Sequence, residues 1–407
     1  MDPLILTRFV HFATTLTAGG TVWFALLVPR PIPASLDRRL RLLTFVMLAL
    51  AVLSAAAWLM LVAADVLGVP VAEVTPRSMW PVVTDIRFGQ VMLIRLLLGS
   101  LLALLALWPR TRPLQSLLAL GLVGLMAVTG HAGAVPGPAG AGAVAADALH
   151  LLAAGAWLGG LPAFLLSLDK GSGDPDAERI IRTTHRFSRL SILAVATLLG
   201  SGLINSWHLL SSPWDLLNTD YGRWLSLKLG LFAAMLVFAA TNRFRLTPAL
   251  PSARARTALC RNTLIETALG LGVLALVGIL GTLPPGGHAH PSASAIPDDA
   301  SFVHIHTAEA MADVTIDPGR VGRVKIGIRL WREDMTELPA RTVSVAFDPP
   351  NKNARSTSEH VAVRDEDGTW RVNDVDCTQD GVWTVRVIIN PHAGSNIVLD
   401  GPIVIAR

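Results

Sequence analysis

Eight long apolar runs dominate the first 283 residues of this 407-residue chain. A helix needs about 20 mostly apolar residues to cross the hydrocarbon core of a bilayer. The runs meet that length, and most lack the polar face of a helix that packs on a soluble core. They cover residues 4–28, 42–66, 89–108, 114–133, 144–168, 190–210, 224–242 and 262–283. We therefore predict an α-helical polytopic membrane domain of eight transmembrane helices over residues 1–283.

The distribution of Lys and Arg between the runs predicts the orientation. Sixteen of these residues lie in the four odd-to-even connections, whereas the other connections hold three, Arg77, Arg87 and Arg223. Cytoplasmic loops carry the excess of cations, so both termini are predicted to face the periplasm. The same asymmetry explains the net charge of +4 and the pI of about 9.6. The basic character therefore indicates a lipid bilayer as partner and no nucleic acid.

Residues 284–300 are rich in Pro, Gly, Ser and Ala and are predicted to form a flexible linker. The apolar pattern then changes to alternation with period two, and Asp367-Gly368, Asp380-Gly381 and Asp400-Gly401 suggest turns. We predict a periplasmic, all-β, immunoglobulin-like sandwich over residues 301–407. We expect core or strand-packing roles for Trp331, Trp370 and Trp383. The predicted strands are 302–308, 312–316, 323–331, 341–347, 360–364, 369–375, 382–390 and 396–405.

Four histidines fall in the predicted periplasmic half of the bundle. His11 and His150 lie inside helices 1 and 5, and His131 and His208 lie near the outer ends of helices 4 and 6. Asp147 shares a helix face with His150 at i, i+3 spacing. Together with Met60, Met79 and Met92, these residues suggest a vestibule of imidazole and thioether groups, a ligand set that suits copper. The alternatives are interfacial roles for His131 and His208 and packing roles for the methionines.

Charged residues inside the membrane are expensive and therefore informative. Arg8, Arg95 and Lys228 lie in the outer half of the bundle, where they can snorkel, pair with Asp147 or Asp85, or hold an anionic group. These positive side chains argue against a path lined only by groups that attract cations. Glu266, near the inner end of helix 8, is interpreted as a hydrogen-bond partner in helix packing.

Two His-x-His pairs flank the end of the linker, His288/His290 and His304/His306. Residues i and i+2 of a strand point to the same face, so His304 and His306 can both bind one metal ion, with Met311 and Met335 as thioether partners. The alternative is a pair of exposed polar residues on an edge strand and a solvated linker.

Three motifs resemble the bacterial copper resistance D (CopD) family. They are Asp147-Ala-Leu-His-Leu-Leu-Ala-Ala-Gly-Ala-Trp-Leu-Gly-Gly-Leu161, the stretch from Asn218 to Lys228 followed by Asn242-Arg243 and Pro248, and Ala18-Gly19-Gly20. The tail resembles more loosely the YtkA-type β-domain of some members. The resemblance implies copper transport across the inner membrane, toward the cytoplasm, and copper homeostasis and resistance. Some members carry a CopC-like copper-binding domain, and none precedes helix 1 here, so a separate periplasmic donor is expected.

Two other functions remain open from the sequence. Paired histidines on neighbouring helices can ligate haem, which would make the chain a membrane electron carrier. The third hypothesis is a factor that delivers copper to an exported enzyme and does not transport copper across the membrane. We expect no enzymatic activity, and the sequence contains no Walker A loop for ATP-driven pumping.

Overall fold

A computed structural model describes residues 2–67, 69–130, 137–168, 177–210, 212, 214–250, 252–283, 297, 299–307, 310–332, 336–350, 359–392 and 395–407. These residues form two compact units, one of helices and one built on a β-sheet. The helices are α1 (Pro3–Leu27), α2 (Ala34–Leu67), α3 (Pro76–Asp85), α4 (Arg87–Leu105), α5 (Arg112–Gly124), α6 (Gly137–Trp157), α7 (Leu161–Leu168), α8 (Ala177–Leu209), α9 (Asp215–Asn218), α10 (Asp220–Thr241) and α11 (Ala253–Leu280).

The predicted eight transmembrane segments are confirmed. Within the described residues, eight helical segments are long and apolar enough to cross a membrane. They are Pro3–Leu27, Ala34–Leu67, Arg87–Leu105, Pro109–Thr129, Gly140–Leu168, Ala177–Trp207, Asp220–Leu246 and Ala253–Leu280. The chain is therefore a multi-pass membrane protein.

Three helices begin well before the apolar run that predicted them. Helices α2, α8 and α11 start at Ala34, Ala177 and Ala253, whereas the apolar runs start at 42, 190 and 262. The extra turns are rich in Arg, which favours helix and keeps its charged end in water. Apolarity locates the hydrocarbon core and does not mark where a helix begins.

Helices α1 and α6 cross through glycines. A Cβ atom added to Gly20 would lie 2.2 Å from the carbonyl carbon of Gly159 and 2.3 Å from the carbonyl oxygen of Gly155. The two backbones are therefore in direct contact, which two glycines four residues apart, Gly155 and Gly159, allow. Helix α6 ends at Trp157, and α7 resumes at Leu161, so the fifth segment is interrupted at the crossing.

The β unit consists of eight antiparallel strands. They are β1 (Ser301–His306), β2 (Met311–Asp317), β3 (Gly322–Trp331), β4 (Ala340–Asp348), β5 (His360–Arg364), β6 (Trp370–Cys377), β7 (Gly381–Pro391) and β8 (Ile397–Ile405). Their order is β1-β2-β3-β6-β5-β4-β7-β8. All eight predicted strands are confirmed within two residues at each end, and the unit is the predicted β-sandwich. Strand β5 pairs with both β4 and β6 and so makes the two layers one continuous sheet.

The two outer strands of this sheet, β1 and β8, meet at one end. The Ser301 hydroxyl donates to the Val404 carbonyl at 2.5 Å. Next to this contact, the backbone N–H of Val321 donates to the Ala406 carbonyl at 2.9 Å. The sheet is thus a nearly closed barrel. Inside it, Trp383 and Trp370 are buried, as predicted for the core.

One predicted turn is wrong. Gly368 and Gly381 have positive φ angles of 79° and 127°, as turn glycines do, but Asp400-Gly401 lies inside strand β8. Asp400 pairs there with Arg386 on β7, with the Arg386 Nε and the Asp400 Oδ1 2.8 Å apart. A Cβ atom on Gly401 would lie 2.7 Å from Ile305, so this glycine serves close packing.

Candidate functional site

His150 lies deep in the helical unit, in contact with α8. It is ten residues beyond Gly140, where the fifth segment begins, which is about 15 Å along the helix axis. Its Nδ1 lies 3.0 Å from the Ser201 hydroxyl. Asp147, one turn earlier, accepts a hydrogen bond from the Asn205 amide at 3.2 Å. Asp147 and His150 therefore have different partners on α8, Asn205 for the carboxylate and Ser201 together with the Leu198 carbonyl for the imidazole.

The Ser201 hydroxyl determines which tautomer His150 adopts. Its hydrogen is donated to the Thr197 carbonyl, 2.6 Å away on the same helix. The Ser201 oxygen must therefore accept from His150 Nδ1–H, which leaves Nε2 as an unprotonated nitrogen. Among the described residues, no hydrogen bond to this Nε2 is found. An imidazole held in this way presents one lone pair for a metal ion.

Helix α10 completes the surroundings of Asp147. Lys228 and Tyr221 both lie within electrostatic range of the Asp147 carboxylate. Helix α10 begins at Asp220, where the Thr219 side chain accepts from the Gly222 N–H at 2.9 Å and caps the helix. We call the set on α6, α8 and α10 the His150 cluster: Asp147, His150, Ser201, Asn205 and Lys228.

A second polar group surrounds His11 on helix α1. Its Nδ1 lies 3.1 Å from both the Ala51 carbonyl and the Ser54 hydroxyl on α2. Because a carbonyl only accepts, Nδ1 carries the proton, and Nε2 accepts a hydrogen bond from the Arg95 guanidinium on α4. Both ring nitrogens of His11 are therefore engaged. His11 can bind a metal ion through Nε2 only after Arg95 has moved away.

Trp58 and Arg8 close the surroundings of His11. The Trp58 ring lies edge-on to His11 at 5.7 Å between centroids, and the Arg8 guanidinium sits 5.3 Å from the Trp58 ring. Arg8 also donates to the Gly281 carbonyl at the end of α11. We call this set the His11 cluster: Arg8, His11, Ser54, Trp58 and Arg95.

The two clusters occupy equivalent positions in two successive groups of helices. The first group contains α1, α2 and α4, and the second contains α6, α8 and α10. His11 lies nine residues before Gly20, and His150 lies nine residues before Gly159, the two glycines at the helix crossing. In each case a serine on the next helix of the group accepts from the histidine Nδ1. The serine then donates its hydroxyl hydrogen to the carbonyl four residues earlier, Leu50 for Ser54 and Thr197 for Ser201. Similar hydrogen-bonding geometry thus recurs in both halves.

The third helix of each group repeats as well. Residues 87–95 read Arg-Phe-Gly-Gln-Val-Met-Leu-Ile-Arg and residues 220–228 read Asp-Tyr-Gly-Arg-Trp-Leu-Ser-Leu-Lys. Each begins a helix, continues with an aromatic residue and a glycine, and places a cation eight residues after the first helical residue. This is the pattern of an internal repeat, parallel in the membrane. Our sequence reasoning missed it, because the two nonamers share only the glycine as an identical residue and their aromatic and cationic positions as similar ones.

A small cavity with a mainly apolar wall and a few polar side chains lies next to Trp157, toward the predicted cytoplasmic end. Its volume is about 50 Å³, with room for about three or four water molecules. Glu266 lines it and accepts from the Asn242 amide, whose oxygen accepts from Asn262 at 3.1 Å. The predicted hydrogen-bonding role of Glu266 is therefore confirmed. Trp157 itself is buried against Phe232.

The β unit holds a third histidine with a defined partner. The Nδ1 of His304 lies 2.7 Å from Asp313 Oδ1, and the indole N–H of Trp331 donates to the other carboxylate oxygen at 2.9 Å. A buried carboxylate on one ring nitrogen fixes the orientation of the imidazole. The strand register pairs His306 with Met311, next to the pair of His304 and Asp313.

Several predicted ligands lie beyond what the structure describes. His131, His288, His290 and Met335 are outside the described residues, and the side chains of His208 and His306 are not described. Of the methionines, Met92 is fully buried beside Arg95 on α4. Among the described residues, no three His, Cys, Asp or Glu side chains converge on a common metal position. The structure places Asp147 and His150 one turn apart on α6, each with its own hydrogen-bond partner on α8, and the predicted ligand set stays a prediction.

Comparisons with known proteins agree on one family. A family profile described as copper resistance protein D matches residues 181–280, and one described as copper resistance protein D-like, N-terminal domain matches residues 1–141. The chain is 32% identical over 288 residues to the inner membrane protein YebZ of Escherichia coli, covering 69% of this chain and 98% of that protein. It is 30% identical over 318 residues to copper resistance protein D of Pseudomonas syringae, covering 70% and 97%.

A third relative is longer than this chain. The copper transport protein CutJ of Bacillus subtilis is 28% identical over 273 residues, which are 66% of this chain and 47% of that protein. The chain therefore spans about half the length of CutJ. No solved structure matches the chain.

Proposed function

Because the chain belongs to the copper resistance protein D family, we propose that it carries copper across the bacterial inner membrane and receives the ion from the periplasmic side at the His150 cluster. The names of the relatives support copper as the transported ion and the inner membrane as the location. One is a copper transport protein, one a copper resistance protein and one an inner membrane protein. The eight membrane-spanning segments supply a body in which an ion path can run.

The observation that carries the proposal is that Ser201 holds the His150 imidazole through Nδ1, while no hydrogen bond to Nε2 is found among the described residues. A neutral imidazole inside a membrane costs free energy unless its polar atoms are satisfied, about 2–7 kcal/mol for a polar group moved from water to an apolar medium. Ser201 satisfies one nitrogen only. Copper binds imidazole well and would satisfy the other nitrogen.

The charges around His150 suit a transient site. Asp147 contributes a carboxylate, and Lys228 lies within its electrostatic range, so an entering cation meets a negative group that is already partly balanced. A transported ion must leave as well as bind, and a site with few strong ligands favours departure. Trp157, seven residues beyond His150, would then separate this outer site from the inner cavity lined by Glu266 and Asn242.

The β unit supplies a place where copper can be held before it enters. His304, oriented by Asp313, and His306 on the same strand form the proposed pair. A copper-binding donor protein in the periplasm would load it. Within this proposal His131, His208, His288 and His290 remain predicted ligands along the same route.

The test is His150→Ala in cells whose copper content depends on this protein. Cellular copper should fall to the level of cells that lack the protein, with the amount of the chain in the membrane unchanged. His185→Ala is the matched control, since His185 is exposed at the opposite end of α8 from Ser201. Normal copper accumulation at normal expression in His150→Ala would contradict the proposal.

The purified protein distinguishes transport from the other functions. Copper bound without a haem absorption band, together with copper flux into vesicles that contain the protein, supports the proposal. A Soret band would favour the electron carrier, and bound copper without flux would favour a delivery factor.

A further inference from the structure

The His11 cluster has the same hydrogen-bonding frame as the His150 cluster and the opposite charge. Arg8 and Asp147 each lie three residues before the histidine, and Trp58 and Asn205 each lie four residues after the serine. At these positions the His11 cluster has the cation Arg8 in place of Asp147, and the indole donor of Trp58 in place of Asn205. The two clusters therefore differ in the charge of the side chains at equivalent positions.

Charge is not balanced in the His11 cluster. Arg95 is 2% exposed, and within the described residues it forms no ion pair. Arg8 is within electrostatic range of Asp2, so one positive charge has a counterpart. The guanidinium of Arg95 is left as one uncompensated positive charge in the membrane, an arrangement that proteins avoid unless an anion or a carboxylate balances it.

The unpartnered atoms of the cluster are all hydrogen-bond donors. Within the part of the chain that the structure describes, four buried nitrogens have no hydrogen-bond partner: Nε and Nη1 of Arg95, Nε of Arg8 and the indole Nε1 of Trp58. They belong to side chains that contact one another around His11, since Arg8 lies over the Trp58 ring and Arg95 donates to His11. The equivalent atom of Asn205 has its partner in Asp147. A ligand that satisfies the cluster must accept hydrogen bonds and carry negative charge.

We propose that the His11 cluster binds a small monovalent anion between Arg95, Arg8 and Trp58. One negative charge matches the one uncompensated positive charge, and a divalent anion would reverse the imbalance. Guanidinium and indole N–H groups in an apolar surrounding can donate hydrogen bonds to an anion such as a halide, and those from guanidinium are charge-assisted. The site is separate from the proposed copper site and does not depend on it, because it uses residues of helices α1, α2 and α4 only.

The test measures binding of radioactive chloride to the purified full-length protein in detergent, without copper. The wild type should bind one chloride per chain in a saturable manner. Arg95→Gln should weaken the affinity at least tenfold, and Trp58→Phe, which removes one donor and keeps the ring, should weaken it less. Lys228→Gln is the matched control, since Lys228 is the repeat equivalent of Arg95 and should leave chloride binding unchanged.

Three results would overturn the proposal. They are the absence of saturable chloride binding in the wild type, wild-type affinity in Arg95→Gln, and equal loss in Lys228→Gln. If Arg95→Gln does not elute as a folded protein on size exclusion, Arg8→Gln replaces it, with the same expected loss. Because copper is absent throughout, failure here leaves the copper proposal standing, and failure of His150→Ala leaves this one standing.

Discussion

Gly20 of α1 and Gly159, between α6 and α7, touch through their backbones and do so reciprocally. A methyl group on Gly20 would lie 2.3 Å from the Gly155 carbonyl oxygen, and one on Gly159 would lie 2.0 Å from the Leu16 carbonyl oxygen. Gly155 and Leu16 are themselves equivalent, each four residues before its crossing glycine. Such an exchange of equivalent contacts is what a local two-fold axis between the two halves produces.

Gly159→Ala should therefore destabilise the helical unit. Backbone atoms cannot move aside as a flexible side chain can, and overpacking of this kind costs about 1–3 kcal/mol or more. The measurement is the temperature at which the detergent-solubilised protein loses its monodisperse peak. Gly230→Ala on α10 is the control, because no atom lies within 4 Å of its added Cβ. Equal stability of the two variants would show that the crossing is not tightly packed.

Ser201→Ala should impair copper handling without removing the imidazole. Loss of the acceptor frees His150 to rotate and to change tautomer, and loss of such a supporting partner typically costs about 10- to 100-fold in metal affinity. Copper accumulation at limiting external copper should fall, with a smaller deficit than in His150→Ala. Ser54→Ala, in the equivalent position beside His11, serves as control. Wild-type copper accumulation in Ser201→Ala would contradict the claim that Ser201 supports copper binding by fixing the tautomer of His150.

Residues 297–407 should fold as a separate soluble domain. Circular dichroism should show β-structure with one cooperative melting transition. Burial and the nearby Asp376 carboxylate raise the pKa of the Cys377 thiol to about 11. The folded domain then holds this proton more tightly than the unfolded chain, whose cysteine pKa is near 9, so stability is full below pH 9 and falls between pH 9 and 11. Rapid alkylation of Cys377 at pH 8 in the native domain would contradict this packing.

Copper binding to the same domain tests the His-x-His pair. The double substitution His304→Ala with His306→Ala should lower the copper stoichiometry, measured after removal of free metal. His392→Ala, an exposed histidine after β7, should leave it unchanged. If the double variant binds as much copper as the wild type, the pair is a surface feature of strand β1.

Both termini are predicted to be periplasmic, and reporter fusions check the orientation. Alkaline phosphatase fused after Arg407 should be active, and a fluorescent protein that matures only in the cytoplasm should be dark at the same position. The reverse pattern would place the β unit inside the cell and would end its role in receiving periplasmic copper.

The elements of this fold follow from one-dimensional patterns, and the contacts of its polar residues do not. Hydrophobic length identified all eight membrane segments, and period-two alternation located the eight strands. Helical spacing placed Asp147 and His150 on one face of a helix, because such spacing identifies only neighbours on the same helix. The partners that the structure gives to His150 and His11, Ser201 and Arg95, lie on other helices, and their choice depends on how the helices pack.

The meeting of β1 with β8 has a consequence for how other proteins can recognise the β unit. A sheet with free outer strands invites a neighbouring chain to add a strand through its backbone, which is a common route to aggregation and to peptide capture. Here the two strands that would offer such edges are joined by Ser301 and Val404. Where β1 meets β8, a partner therefore finds side chains and less free backbone to pair with, and edge-to-edge association of two copies is disfavoured there.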